Sequence, residues 1–325
     1  MNELRPLLLA PIYRDYIWGG SRIQSHFGRT SIPARCAESW EVADRPEGQS
    51  VVCGGPFDGY TLGKLVNELG ASLLGARGTS ERFPLLIKLI DARETLSVQV
   101  HPNNENAHRT GGEPKTEMWY ILAADPGACI YAGFKPGATP AAFRAALEEE
   151  TVEALLNKIP VKAGDAVYMP GGRVHAIGAG CLILECQQNS NTTYRLYDWG
   201  RVDAEGRPRE LHIESALQVI NWGEPPTELA RPIRLAAGRR NVCWEIVRSP
   251  FFRMRRLDLL ETEVLGLELS SFRVLFVAEG RVVIAQPGYE QTLAAGQTLL
   301  IPAVCAEFTL APVGGPATVM LMDQP

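Results

Sequence analysis

Apolar residues along this chain come in short runs, broken every few positions by glycine, proline or asparagine. The runs at 85–89, 96–100, 119–122, 166–169 and 181–185 are rich in Leu, Ile and Val. Short β-rich runs punctuated by turn residues predict strands. After residue 230 the texture returns at 252–256, 264–269, 274–277, 282–285, 297–301 and 317–322. Strands this close together, with no long helix between them, predict a sandwich or barrel rather than alternating β-α units.

Helical periodicity interrupts the strands in two places. Residues 61–74 carry Leu62, Leu65, Leu69 and Leu73 on one face, and 139–158 carry Phe143, Leu147, Val152, Leu155 and Leu156. Both stripes are expected to pack on the barrel. A third helix is predicted over 214–220. The stretch Asn221-Trp-Gly-Glu-Pro-Pro-Thr227, followed by Pro232, is rich in turn formers and predicts a boundary near residue 230. The expected organisation is a catalytic β domain over 1–230, with a small helical insertion, and a second β domain over 231–325.

The two domains share a pattern. Gly164-Asp-Ala-Val-Tyr-Met-Pro170 reads G-x5-P, and so does Gly296-Gln-Thr-Leu-Leu-Ile-Pro302. In the first copy the motif runs on to Gly172 and His175; the matching positions of the second are Val304 and Glu307. The second domain therefore reads as a copy of the same barrel unit without its ligand residues.

Composition sets the outer limits. An apolar fraction of 46% with 21% charged residues suits a globular protein with a full core. The net charge of −5 and the lack of a long basic run give nucleic-acid binding no electrostatic support. The run Leu7-Leu8-Leu9-Ala10 stops at Pro11, too short for a signal-peptide core or a membrane span. Seven cysteines are scattered, with no C-x2-C pair, so a disulfide framework is not expected. Free thiols suit a reducing compartment, and the expected location is the cytoplasm. Monomer and dimer both stay open.

The chemistry gathers around G-x5-P-x-G-x2-H. It predicts a strand, a tight turn and His175 aimed into a barrel. Upstream, strand alternation puts Ser97, Gln99 and His101 on one side of 96–101, with Leu96, Val98 and Val100 on the other. Buried polar groups without partners cost about 2–7 kcal/mol, so such an inward face needs a reason. Glu117 leads directly into the aromatic run Met118-Trp-Tyr120. Two imidazoles, a carboxylate and an amide suit a divalent metal with an open position. Nitrogen and oxygen donors without thiolate suit Zn²⁺, with Mn²⁺, Fe²⁺ and Co²⁺ also compatible, and ligand type alone does not choose among them. His26, His108 and His212 lack such surroundings, and Cys181 and Cys186 read as buried strand residues.

These stretches carry a resemblance. Glu38-Ser-Trp-Glu-Val-Ala-Asp44, Phe83-Pro-Leu-Leu-Ile-Lys-Leu-Ile-Asp-Ala92, Leu96-Ser-Val-Gln-Val-His-Pro-Asn103, Pro114-Lys-Thr-Glu-Met-Trp119, Val174-His-Ala176 and Tyr194-Arg-Leu-Tyr-Asp198 run in order along 10–220. The chain resembles the type I mannose-6-phosphate isomerases of the cupin superfamily, in their short bacterial form. The resemblance implies two cupin-type (jelly-roll) barrels and one Zn²⁺ per chain, held by Gln99, His101, Glu117 and His175. It implies an active-site role for Arg195 and pocket positions for Lys88, Ser97, Lys115 and Glu185. The implied partner is a small sugar phosphate, with mannose 6-phosphate and fructose 6-phosphate interconverted through an enediol.

The residues can support that chemistry. Aldose–ketose interconversion moves a proton between C1 and C2. Glu185, near an apolar strand end, and Lys115, two residues before Glu117, are the two candidates to carry it. Arg195 can stabilise charge on the enediolate or clamp a phosphate; its structural alternative is a pair with Asp198. Lys88 lies in an apolar strand, where an unpaired ammonium is costly and Glu38, Glu41 or a phosphate would explain it. Two rival readings use the same ligands. One is a metal-dependent cupin dioxygenase, recognised by iron content and oxygen uptake. The other is a non-catalytic sugar-binding cupin.

Overall fold

The computed structural model describes residues 4–76, 81–203, 205–235, 240–266, 271–305 and 307–325. It is mainly β, and its four larger sheets stack face to face. A five-stranded sheet contains Cys129–Phe134, Leu156–Pro160, His175–Ile177, Val98–Val100 and Tyr194–Tyr197. It faces a six-stranded sheet containing Ala166–Met169, Glu117–Ala124, Cys181–Gln188, Leu85–Ala92, Glu38–Val42 and Ile12–Arg14. Ile130, Ala132 and Ile177 from the first sheet meet Trp119, Ile121, Val167 and Ile183 from the second in a dry core.

Alternation along each strand makes the stack possible. In Leu85–Ala92, Lys88 and Ile90 turn toward the five-stranded sheet, while Leu85, Ile87 and Leu89 turn outward. The outward face joins the largest core, against Val274, Phe276, Leu300 and Met320 of an eight-stranded sheet. That sheet in turn covers a four-stranded one through Leu275, Val277, Leu299, Ile284 and Leu310. Apart from a few charged and polar positions such as Lys88 and Glu185, the middle strands Leu85–Ala92 and Cys181–Gln188 are apolar on both faces, which is why their runs read as continuous rather than alternating.

Several expectations need correction. The helix predicted over 139–158 ends at Glu148: Pro140–Glu148 is helical, Glu150 takes φ 57°, and Leu156–Pro160 is a strand paired with Cys129–Phe134. Pairing overrode the helical spacing of Leu155 and Leu156. The helix over 61–74 breaks at Gly70 (φ 47°) into Leu62–Leu69 and Ala71–Leu74. Leu96 lies before its strand and lines the polar cavity with Ser97, not the opposite face. The 214–220 helix is Ile213–Val219. The tail strand expected over 264–269 is seen as Glu263–Leu265; residues 267–270 lie outside the described residues.

The two halves are also joined by topology. Leu7–Ala10, at the start of the chain, pairs with Thr298–Ile301 near its end. The two G-x5-P segments have matching shapes. Gly164 (φ 90°) and Gly296 (φ 83°) each precede by two residues a four-residue strand, Ala166–Met169 and Thr298–Ile301, that ends at the residue before the proline.

Candidate active site

The turn after Ala166–Met169 ties together the segments that carry the candidate ligands. Gly172 N–H donates to the His101 carbonyl at 2.7 Å, and Gly171 N–H donates to Thr116 Oγ1 at 3.2 Å. A Cβ on Gly171 would sit 2.6 Å from the Pro102 carbonyl oxygen, which is backbone and cannot yield. We therefore expect Gly171→Ala to destabilise the protein by about 1–3 kcal/mol, read as a lower urea midpoint. An unchanged midpoint would refute this account of the turn.

His101, Glu117 and His175 converge at the floor of the space between the two facing sheets. Their ligand atoms all lie within 4.8 Å of one another, and each residue is 1% exposed. Glu117 Oε2 is 3.4 Å from His101 Nε2, and Oε1 is 3.3 Å from His175 Nε2. Gln99 joins them, its side-chain nitrogen 3.4 Å from His175 Nε2. Strand register explains the meeting: His175 pairs with Gln99, and Gln99 pairs on its other side with Arg195. Glu117 comes from the opposite sheet, between Met169 and Gln187.

The donor set fits a divalent cation. His175 Nδ1 is 2.8 Å from the Arg173 carbonyl, which can only accept, so the proton sits on Nδ1 and the Nε2 lone pair faces Glu117. Burial pushes the His101 imidazolium down to about 3, helped by the Lys115 ammonium, and burial lowers His175 as well. Both rings are neutral, the state a metal requires. Burial alone would raise Glu117, but the Lys115 ammonium beside it holds its carboxyl well below the usual range. Neither Glu117 oxygen has a hydrogen-bond partner, nor does His101 Nδ1. Lys115 Nζ lies 2.9 Å from Glu117 Oε2 and 3.0 Å from His101 Nε2, so the cluster already faces positive charge.

Above the cluster lies a cavity of about 220 Å³. Lys88, Ser97, Gln99, Lys115, Glu185 and Arg195 all line it. Six residues scattered over more than a hundred positions thus share one space. Glu185 sits mid-strand, not at a strand end, opposite Lys88 on one side and Trp119 on the other. Its Oε1 accepts from Trp119 Nε1 at 3.0 Å, and its Oε2 lies 3.6 Å from Lys88 Nζ. Burial and the nearby Glu117 carboxylate raise Glu185, against the pull of Lys115 and Lys88.

Lys88 Nζ is also 3.5 Å from Glu38 Oε2, which in turn accepts from Trp40 Nε1 at 2.7 Å. Burial disfavours this ammonium, yet Glu38, Glu185 and Glu117 together raise it. Lys88→Met would leave the buried Glu185 and the part-buried Glu38 without this cation, a loss of about 3–5 kcal/mol. Glu185, already raised by burial, then folds into the interior at least cost with a proton on it. The deficit should shrink as pH falls and grow as pH rises, seen in urea unfolding at pH 5 and pH 8. A deficit independent of pH would contradict this pairing.

A Mannose-6-phosphate isomerase of Streptococcus mutans is 38% identical to this chain over 299 residues, covering 91% of this chain and 92% of its own length. Mannose-6-phosphate isomerase ManA of Bacillus subtilis is 37% identical over 307 residues, covering 94% of this chain and 95% of its own. The chain belongs to the type I phosphomannose isomerase family. The catalytic domain of phosphomannose isomerase type I matches residues 7–128. The crystal structure of the mannose 6-phosphate isomerase from Bacillus subtilis has the same fold, with a TM-score of 0.90 and 31% identity over 98% of this chain and 99% of that one.

Within this phosphomannose isomerase fold, sequence reasoning missed part of the cavity wall. Tyr16, Trp18, Asn191, Thr193 and Arg209 line it too. Asn191 and Thr193 were within reach of the alternation rule, since they share a face with Arg195; Arg209 lies in a loop with no periodic signal. The structural alternative for Arg195 is not what is seen. Asp198 instead holds Arg201, at 2.6 Å, and Arg209. Arg195 Nη1 donates to the Glu210 carbonyl at 2.7 Å, and its buried Nε has no partner.

Proposed function

We propose that this chain is a metal-dependent aldose–ketose isomerase that interconverts mannose 6-phosphate and fructose 6-phosphate through an enediol, with one Zn²⁺ per chain. The observation that carries the reading is the convergence of two neutral imidazoles and a carboxylate beneath a cavity lined by Lys88, Lys115, Glu185 and Arg195. The family relatives act in the same sense by their names. On the same reading, the two pairs of facing sheets are two cupin-type barrels, the second without ligands, joined near residue 230. The matching G-x5-P strands support this. The seven cysteines are free, in keeping with a cytoplasmic setting.

His101, Glu117, His175 and Gln99 would hold the ion. A bound Zn²⁺ polarises sugar oxygens as a Lewis acid and so favours enediolate charge. The protein supplies the remainder. Glu185 Oε2, without a hydrogen-bond partner and raised by burial, can accept and return the proton that passes between C1 and C2. Trp119 fixes the other oxygen and so aims the carboxyl. Lys115 is the second candidate for that proton. Ser97 can bind a sugar hydroxyl or the phosphate. Arg195 supplies preorganised positive charge at the developing oxyanion.

The test is a coupled assay for fructose 6-phosphate with elemental analysis, before and after chelation. Turnover that follows zinc content supports the reading. A zinc-loaded protein that makes no product from mannose 6-phosphate would favour a sugar-binding role. Bound iron with oxygen consumption would favour a dioxygenase.

A further inference from the structure

We infer that Arg209, a loop residue outside every strand, recognises the phosphate of the sugar substrate, and that Asp198 positions it. The inference rests on the proposed isomerase reading for the identity of the sugar, but on the following geometry for the anion. Across the five-stranded sheet the order is His175, Gln99, Arg195. Tyr194–Tyr197 is the sheet's edge, and the segment leading to His212 extends it: His212 N–H donates to the Arg195 carbonyl at 2.7 Å, and Arg195 N–H donates to His212 Nδ1 at 3.2 Å. Neighbouring strands lie roughly 4.8 Å apart, so each step moves one spacing away from the metal cluster. Arg209, just before this segment, thus stands beyond Arg195 and still lines the same cavity.

The substrate has the same polarity. Its reacting C1 and C2 lie at one end and its phosphate at the other. With the reacting carbons at the His101–Glu117–His175 cluster, the phosphate points along the sheet toward Arg209, and Arg195 falls between them.

Among the less exposed groups at that end, positive charge predominates. Three guanidinium groups, of Arg195, Arg201 and Arg209, gather around one buried carboxylate, that of Asp198, which is 6% exposed; the other acid near Arg195, Glu210, is turned to solvent. Arg201 has a second acid, Glu94, at 3.8 Å. Arg209 uses Nε, at 2.7 Å, and Nη2 on Asp198, a two-pronged hold that fixes the plane of the guanidinium. Among the described residues its Nη1 has no hydrogen-bond acceptor. Desolvation, with Arg209 next, pushes the Arg195 guanidinium below its usual range. Guanidinium groups fixed beside a partly buried cavity, two of their three acid partners being exposed to solvent, are what a phosphate dianion requires.

Metal-loaded wild type, Arg209→Gln, Arg209→Lys and Asp198→Asn are titrated with inorganic phosphate by calorimetry and assayed with mannose 6-phosphate. Arg209→Gln should weaken phosphate binding by about 10- to 100-fold, and raise KM by a similar factor, with a smaller fall in kcat. Arg209→Lys should recover part of this as a point charge without the fork. Asp198→Asn should give a smaller rise in KM, since Arg209 keeps its charge and loses its orientation. A folded Arg209→Gln variant with wild-type phosphate affinity and KM would overturn the inference, as would a fall confined to kcat. Should Arg209→Gln unfold, the Lys and Asn variants carry the same test. If the wild type makes no fructose 6-phosphate, the isomerase reading fails, while the phosphate titration still decides the role of Arg209.

Discussion

Alanine at His101 or at His175 is expected to remove bound metal and isomerase activity together. Each ring supplies one of the two neutral nitrogens of a cluster whose atoms lie within 4.8 Å. The nearest neighbours do not fill either vacancy: Gln99 is already at the cluster, and Lys115, the other polar group against it, brings a positive charge. With one nitrogen gone, Glu117 keeps a buried charge beside Lys115 and a single neutral imidazole. Loss of Lewis-acid stabilisation worth several kcal/mol should lower kcat/KM by about 10³ or more. Elemental analysis and the coupled assay on the same preparation read both effects. His108→Ala, at an exposed position, serves as the control with metal and activity intact. A His175→Ala variant that is metal-free and fully active would end the assignment.

Arg195→Ala is expected to keep its metal and lose most of its turnover. The guanidinium touches none of the three ligand side chains; it lines the cavity above them and is anchored by Nη1 to the Glu210 carbonyl. Removing one preorganised donor at a developing oxyanion costs about 10² to 10³ in kcat. Arg195→Lys should restore little, because an ammonium cannot hold the Glu210 carbonyl and face the substrate with the same fork. The contrast with Arg209 is sharp: the loss at Arg195 falls on kcat, that at Arg209 on KM. Metal content measured beside kcat separates the two roles of ligand and catalyst. A variant that came out of purification without metal would show that Arg195 supports the cluster instead.

How much of this was legible in the chain differs from one residue to the next. His101 and Gln99 could be paired from alternation in one strand, and His175 from the proline–glycine turn before it. Their approach to Glu117 could only be expected, since it depends on two sheets facing each other. Glu185 was read as a strand end; the strand runs on to Gln188, and the residue lies between Lys88 and Trp119. Leu155 and Leu156 fell on helical spacing, yet Leu156 pairs in a sheet. Arg209 carried no signal at all, because a loop residue has no period.

Strand-forming segments, the tight turn at Gly171–Gly172 and the choice of nitrogen and oxygen donors follow from local chemistry: side-chain alternation, backbone sterics and ligand type act over a few residues. The partners of those residues do not. Lys88 meets Glu38 and Glu185, and Asp198 meets Arg209 instead of Arg195, because strand register and sheet stacking bring together positions far apart in the chain. Register is set by the burial of whole faces, a sum over many side chains. The identity of the donors could therefore be read along the chain, while the cavity they share, and the cation at its far end, took shape only when the sheets packed.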